Sequence, residues 1–168
     1  MGEGRVLYAD NDHVHVLRYV GDIRHPIAPS VSRFVDTLLE KFDGEDVVVD
    51  LSEVDTIDST NLGEIARIAV LLAEKNGKRA AIVSPRGEIC EVLHSMALDE
   101  VFDMKTEPTA LLDGEPIPTI AASRELSLRT ILAAHRRLMQ MNEENRKKFA
   151  QVVELLELEL QAMAKGVS

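Results

Sequence analysis

Ser59 sits between Asp58 and Thr60, where a short acidic stretch, Ser52-Glu53-Val54-Asp55-Thr56-Ile57, gives way to an amphipathic run. A small hydroxyl at a helix start meets unpaired backbone N–H groups and the positive end of the helix dipole, both of which favour negative charge. A phosphate there has little structural cost, so Ser59 reads as a phosphoacceptor. The same residues also suit a plainer role. Asp, Ser, Thr and Asn are the preferred helix caps, and taken alone the segment reads first as a cap built from Asp58 or Ser59.

Other residues with chemical potential are scattered. Of five histidines, only His13 and His15 are locally arranged, two apart on one strand face. Their spacing implies no third metal ligand, and an exposed pair on an edge hairpin is expected. His135 falls within an apolar helical stripe and reads as a packing or interface residue. Cys90 is the sole cysteine, which excludes a disulfide framework and a cysteine metal cluster. It lies in a helical stretch with no activating base nearby, so a structural thiol is expected. The chain has no Gly-rich phosphate loop, nucleophile elbow or zinc motif. No enzymatic activity, cofactor or metal is therefore expected. Asp50 and Ser84 each end an apolar run, as the phosphoacceptor and hydroxyl partner of a receiver domain would. Against that reading, the chain opens with a hairpin, and Lys105 is followed by Thr106 rather than proline.

Charge narrows the partners. The net charge is −10, but residues 123–168 hold eight Lys/Arg against six Asp/Glu, which leaves the first 122 residues at −12. Such an acidic domain repels nucleic acid. Arg136-Arg137 and Arg146-Lys147-Lys148 are interleaved with Glu143 and Glu144 and read as a solvated helix face. No apolar run approaches the length of a membrane span, and the acidic start is unlike a signal peptide. A cytoplasmic protein with no membrane association is expected.

These residues need elements to position them. Runs 5–10 and 13–20 read as two strands around an Asn11-Asp12 turn, followed by a loop from Gly21 to Pro29. Val31, Phe34, Val35, Leu38, Leu39 and Phe42 recur at helical spacing. Residues 47–51 are apolar apart from Asp50 and show no alternation, as in a strand covered on both faces. A helix from about Thr60 is expected to bury Leu62, Ile65, Ala66, Ala69, Leu72 and Ala73, and to stop at Asn76-Gly77. A strand at 79–84, a short helix around Ile89, Val92, Leu93 and Met96, and a strand at 100–104 complete a β-β-α-β-α-β-α-β order. The expected fold is α/β, a mixed sheet opened by a β-hairpin and covered by helices.

Residues 105–122, with Pro108, Gly114, Pro116 and Pro118, read as a linker between a domain at 1–104 and a C-terminal helical extension at 123–168. Nothing from Ser123 to Lys165 is expected to break a helix. Its stripe, which includes Leu128, Ile131, Leu138, Phe149, Val152, Leu156 and Met163, must be buried. Asn142 and Asn145 interrupt the stripe and suggest a register-setting layer in a homodimer through residues 123–165. The alternative is a tail folded back on its own domain.

The hairpin, the strand at 47–51, Asp58-Ser59-Thr60 and Leu62-Gly63 together resemble the STAS family, in particular bacterial anti-sigma factor antagonists, over roughly residues 5–104. In that family a VDLS-like strand leads to a D-S-[ST]-G-L-G segment whose first serine is phosphorylated by a partner kinase. Here these positions are Asp58, Ser59, Thr60, Asn61, Leu62 and Gly63. Asn61 replaces the usual glycine, and asparagine tolerates unusual backbone angles. Arg24 stands where relatives often carry an acidic residue near the phosphosite, and it is placed to pair with Asp58 or with phosphoserine.

The resemblance implies a protein-binding module, with Ser59 as phosphosite and Arg24, Asp58, Thr60, Asn61, Leu62 and Gly63 as the surrounding partner surface. It would dock on an anti-sigma factor or serine kinase to release a sigma factor, and a metal-dependent (PP2C-type) phosphatase would restore it. The alternative is a constitutive STAS subunit of a stressosome-like scaffold or transporter complex, with Ser59 only a cap.

Overall fold

The computed structural model describes residues 2–11, 13–108 and 113–166. Six strands form one sheet in the order β5-β4-β3-β2-β1-β6. β1 (Arg5–Asp10) and β2 (Val14–Ile23) pair antiparallel, as the hairpin pattern requires. Asn11 closes their turn, its Oδ1 accepting from the N–H groups of His13 and Val14 at 2.9 Å each. Asp12, the other residue expected in this turn, lies outside the described residues. β3 (Asp46–Ile57), β4 (Ala81–Val83) and β5 (Asp103–Lys105) extend the sheet in parallel. The crossovers are α1 (Ala28–Glu40), α2 (Ser59–Asn76) and α3 (Glu88–Ser95).

Several boundaries differ from expectation for identifiable reasons. β2 does not stop at Val20. It continues through Gly21, whose φ of 86° is open to glycine, and a side chain there would meet the Gly2 carbonyl at 2.9 Å. The ladder with β3 shifts register on either side of this glycine. That extension gives residues 53–57 of β3 a partner, so the expected acidic loop is strand. The β3 end is therefore fixed where α2 starts, and the Asp58 N–H donates to the Ile23 carbonyl at 3.1 Å. The strand expected at 100–104 runs instead at Asp103–Lys105, because residues 98–100 form a 3-10 turn after Ala97 at a φ of 66°. Ala73 is exposed, and the buried stripe of α2 runs instead through Leu62, Ile65, Ala66, Ile68, Ala69 and Leu72.

The region expected as linker is tied down in two places. β6 (Glu115–Pro116) pairs with Leu7 and Tyr8 of β1, and the Ile120 N–H donates to Ser30 Oγ at 3.0 Å.

The tail is two helices, not one. α4 (Arg124–Met141) ends at Asn142, whose backbone is extended (φ −159°, ψ 171°). Asn142 then caps α5 (Glu143–Ala164), its Oδ1 accepting from the Asn145 N–H at 2.7 Å. Glu143 and Glu144 in the first turn complement the new helix dipole. The two helices turn back on one another, with Arg124 paired to Glu159 and His135 edge-on to Phe149 at 5.1 Å between ring centroids. Leu138 and Phe149 join the core of the sheet domain. Asn145, expected in an intermolecular layer, is fully buried and donates through Nδ2 to the Met96 carbonyl at 2.9 Å. The stripe expected to face a second copy is thus spent largely within the chain. Val152, Leu155 and Leu158 of α5 and Leu126 of α4 stay exposed. No described helix is long and apolar enough to cross a membrane.

Candidate functional site

The strand-to-helix junction settles which residue is the cap. Asp58, in extended conformation, accepts through Oδ1 from the Asn61 N–H at 3.0 Å and from Asn61 Nδ2 at 2.9 Å. Ser59 is the first helical residue, so its hydroxyl has no capping duty. It is half-buried, and its Oγ lies 2.8 Å from Nε2 of His135 on α4. The other imidazole nitrogen, Nδ1, lies 2.8 Å from the Ile131 carbonyl, which can only accept. That contact assigns a ring proton to Nδ1, and in this tautomer Nε2 accepts from the Ser59 hydroxyl.

α4 is pressed onto this junction. A Cβ at Gly63 would meet the Ala134 carbonyl oxygen at 2.4 Å and the Ala134 Cβ at 2.6 Å, so the two helices cross at a site that admits only glycine. One turn further along α4, Arg137 donates to the Gly63 carbonyl at 3.1 Å. Glu64, next to Gly63, is 2% exposed. Its Oε2 stands 3.7 Å from the Arg67 guanidinium. Burial holds the Glu64 carboxyl above its ordinary value, against the opposing pull of Arg67 and Arg137. Burial likewise lowers Arg137, which Glu64 partly offsets.

The residues expected at the partner surface are not all brought together. Asp58, Ser59 and Gly63 share the junction, but Thr60, Asn61, Leu62 and Gly63 are buried rather than presented to solvent. Asn61 adopts no unusual backbone angle, since Ala97 is the one non-glycine residue of positive φ among those described. Arg24 pairs within its own strand end. Its Nε pairs with Asp22 Oδ1 at 2.9 Å, and Asp22 also accepts from the Thr56 hydroxyl. These two contacts hold the Asp22 carboxyl below the usual range, Thr56 contributing most.

The other candidates fall into structural roles. Asp50 is fully buried in the middle of β3, 3.5 Å from the Arg18 guanidinium, and Ser84 is buried at 1% exposure. Neither is presented as a receiver site requires. His15 is not the exposed residue expected, since β2 is an interior strand. Its Nδ1 lies 2.6 Å from the Tyr8 hydroxyl and its Nε2 3.3 Å from Glu45. Burial, helped by Asp10 and Glu45, pushes the Tyr8 phenol up to about 12. His13 is exposed and Cys90 is a free, half-buried thiol.

Sequence reading missed three contributors: His135 as the partner of Ser59, Arg137 as a clasp on Gly63, and Glu64 as a buried acid. Glu64 left one signal, a charged residue flanked by the core positions Leu62 and Ile65. His135 and Arg137 left none, because nothing local says which helix α4 will pack against.

Residues 6–110 match the STAS domain family, and the chain belongs to it. Solved structures similar to the chain include proteins described as anti-sigma factor antagonists. One, from Mycobacterium paratuberculosis, is 23% identical, covers 62% of this chain and 87% of its own, and superposes with a TM-score of 0.54. A Thermotoga maritima protein described as an anti-sigma factor antagonist is 27% identical over 61% of this chain and 86% of its own, with a TM-score of 0.54. Unphosphorylated SpoIIAA, an anti-sigma factor antagonist, shares 16% identity over 61% of this chain and 89% of its own, at a TM-score of 0.53. No curated protein sequence matches the chain. α4 and α5 lie outside the residues that match the family.

Proposed function

We propose that this STAS protein is an anti-sigma factor antagonist, a cytoplasmic protein-binding module switched by phosphorylation of Ser59. The observation that carries the reading is the division of labour at the junction. Asp58 caps α2, so Ser59 is not needed as a cap and its hydroxyl projects from the first helical turn. Phosphorylation adds about −1.5 to −2 charge there, beside Asp58, and changes what the face can bind without refolding the sheet. SpoIIAA, which shares the fold, is solved in unphosphorylated and phosphorylated forms, which supports a fold that carries a phosphoryl group. The partners are an anti-sigma factor or serine kinase and a PP2C-type phosphatase. No step of this function requires catalysis by the chain itself.

The alternative, a constitutive subunit of a stressosome-like scaffold or transporter complex, is favoured by one observation: the Ser59–His135 hydrogen bond gives the serine a structural task. Phosphopeptide mapping of protein from its native cell, with pull-downs of wild type, Ser59→Ala and Ser59→Asp, separates the two. The proposal expects phosphate on Ser59, partner capture by the alanine variant and weakened capture by the aspartate variant. Phosphate on Thr60 alone, or identical partners for all three forms, refutes it.

A further inference from the structure

The tail lies outside the family match, yet it is seated on the segment that carries Ser59. Three contacts hold it there: the Ser59–His135 hydrogen bond, the Gly63–Ala134 crossing, and the Arg137 bond to the Gly63 carbonyl. We infer that α4 is an intramolecular occupant of the Ser59 face, closed over the unmodified serine and excluded by phosphoserine. The inference deepens the reading of Ser59 as phosphoacceptor and rests on it for its biological meaning.

Steric and electrostatic arguments agree. A phosphoryl group must arrive at Ser59 Oγ, and in the closed form the His135 ring stands one hydrogen bond away at 2.8 Å. Tilting α4 to make room is blocked at Gly63, where the helix backbones are already in contact. The nearest groups are also unfavourable. Asp58 flanks the serine, and the Nδ1–H of His135 is already committed to the Ile131 carbonyl. Arg137 is committed to Gly63 and stands beside Glu64, and Arg136 is paired with Glu157 at 2.8 Å. A doubly charged phosphate therefore replaces one good hydrogen bond with crowding and like charge. The consequence is a protein that shields its own docking face until a partner displaces α4, whereas a phosphate displaces α4 but leaves a charged face that the partner no longer fits.

The test uses the full chain with phosphoserine installed at position 59 during translation, so no kinase is needed. Amide hydrogen exchange across residues 124–141 should be about tenfold faster than in the unmodified protein, equivalent to about 1.4 kcal/mol of lost docking, while exchange in β3 stays the same. Unchanged or slower exchange in α4 overturns the inference, the slower case showing that His135 and the arginines clamp the phosphate. A second arm needs no phosphate. In the Ser59→Cys/Cys90→Ala chain, alkylation of the new thiol by N-ethylmaleimide should accelerate about tenfold when Ala134→Leu wedges α4 away. Arg137→Ala, which removes a tie without adding bulk, should act in the same direction and serves if the wedge does not fold. Equal alkylation rates in the folded variants overturn the occlusion. Neither arm depends on modification in the cell, so failure here is distinct from failure of phosphopeptide mapping.

Discussion

Gly63→Ala sets two effects of opposite sign against each other. In a helix interior free of neighbours, alanine is favoured over glycine by about 0.8–1.0 kcal/mol. Gly63 lies in the first turns of α2 with no positive φ, so that gain applies in full to an uncovered helix. Here the new Cβ would stand 2.4 Å from the Ala134 carbonyl oxygen and 2.7 Å from its carbonyl carbon. Both are backbone atoms of α4, so no side-chain rotation relieves the clash. Overpacking of this kind costs about 1–3 kcal/mol. The net expectation is a loss of about 0–2 kcal/mol, with the strain concentrated at the α2–α4 crossing. Urea denaturation should show a lowered midpoint, and hydrogen exchange should rise in α4 before it rises in β3. A raised midpoint with α4 still protected would mean that the helices do not cross as described, and the account of the covered Ser59 face would go with it.

Glu64 predicts the pH response. Its carboxyl is held above the ordinary 4.5 by burial, so the folded state binds its proton more tightly than the unfolded chain does. Its contribution is fully present below pH 4.5 and is lost as pH rises from there through the folded-state value. Glu64→Gln should flatten that part of the stability–pH curve. Denaturation at a series of pH values checks this, and parallel curves for the two proteins would refute it. Asn145→Ala removes the buried donor to the Met96 carbonyl and should cost about 1–3 kcal/mol. Calorimetry should show the loss, and an unchanged melting midpoint would mean that α5 is not anchored there. A homodimer through the tail would have to use the outer face of α5, where Leu155 and Leu158 are 59% and 55% exposed. Light scattering should give a dimer for wild type and a monomer for Leu155→Glu/Leu158→Glu; a wild-type monomer at every concentration removes the proposal.

The sheet and its crossovers were legible because their determinants are local and repetitive. The alternation in residues 5–20 and the helical stripe from Leu62 to Leu72 each state a periodicity that one packing solution satisfies, and Val47-Val48-Val49 reads as a covered strand. The junction was legible for the same reason, since a strand ending in Asp58-Ser59-Thr60 before an amphipathic run can start a helix there and nowhere nearby. The break at Asn142 was also written locally, as a capping residue followed by two glutamates. The apolar stripe continues on both sides of it, which masks the break. The true ends of β2 and β3 were not readable. They depend on Gly21 allowing the chain past Gly2 and Glu3, which is an encounter between segments.

The sequence by itself determined the family, the helix start and the presence of a small hydroxyl beside an acidic cap. Only the tertiary structure decided that residues 53–57 find a partner in the extended β2 and that the tail closes over the serine. The physical reason is separation along the chain. A cap bond spans three residues and leaves a local signature, whereas Ser59 and His135 are 76 residues apart. Their meeting follows from which apolar faces bury each other, a property of the whole fold.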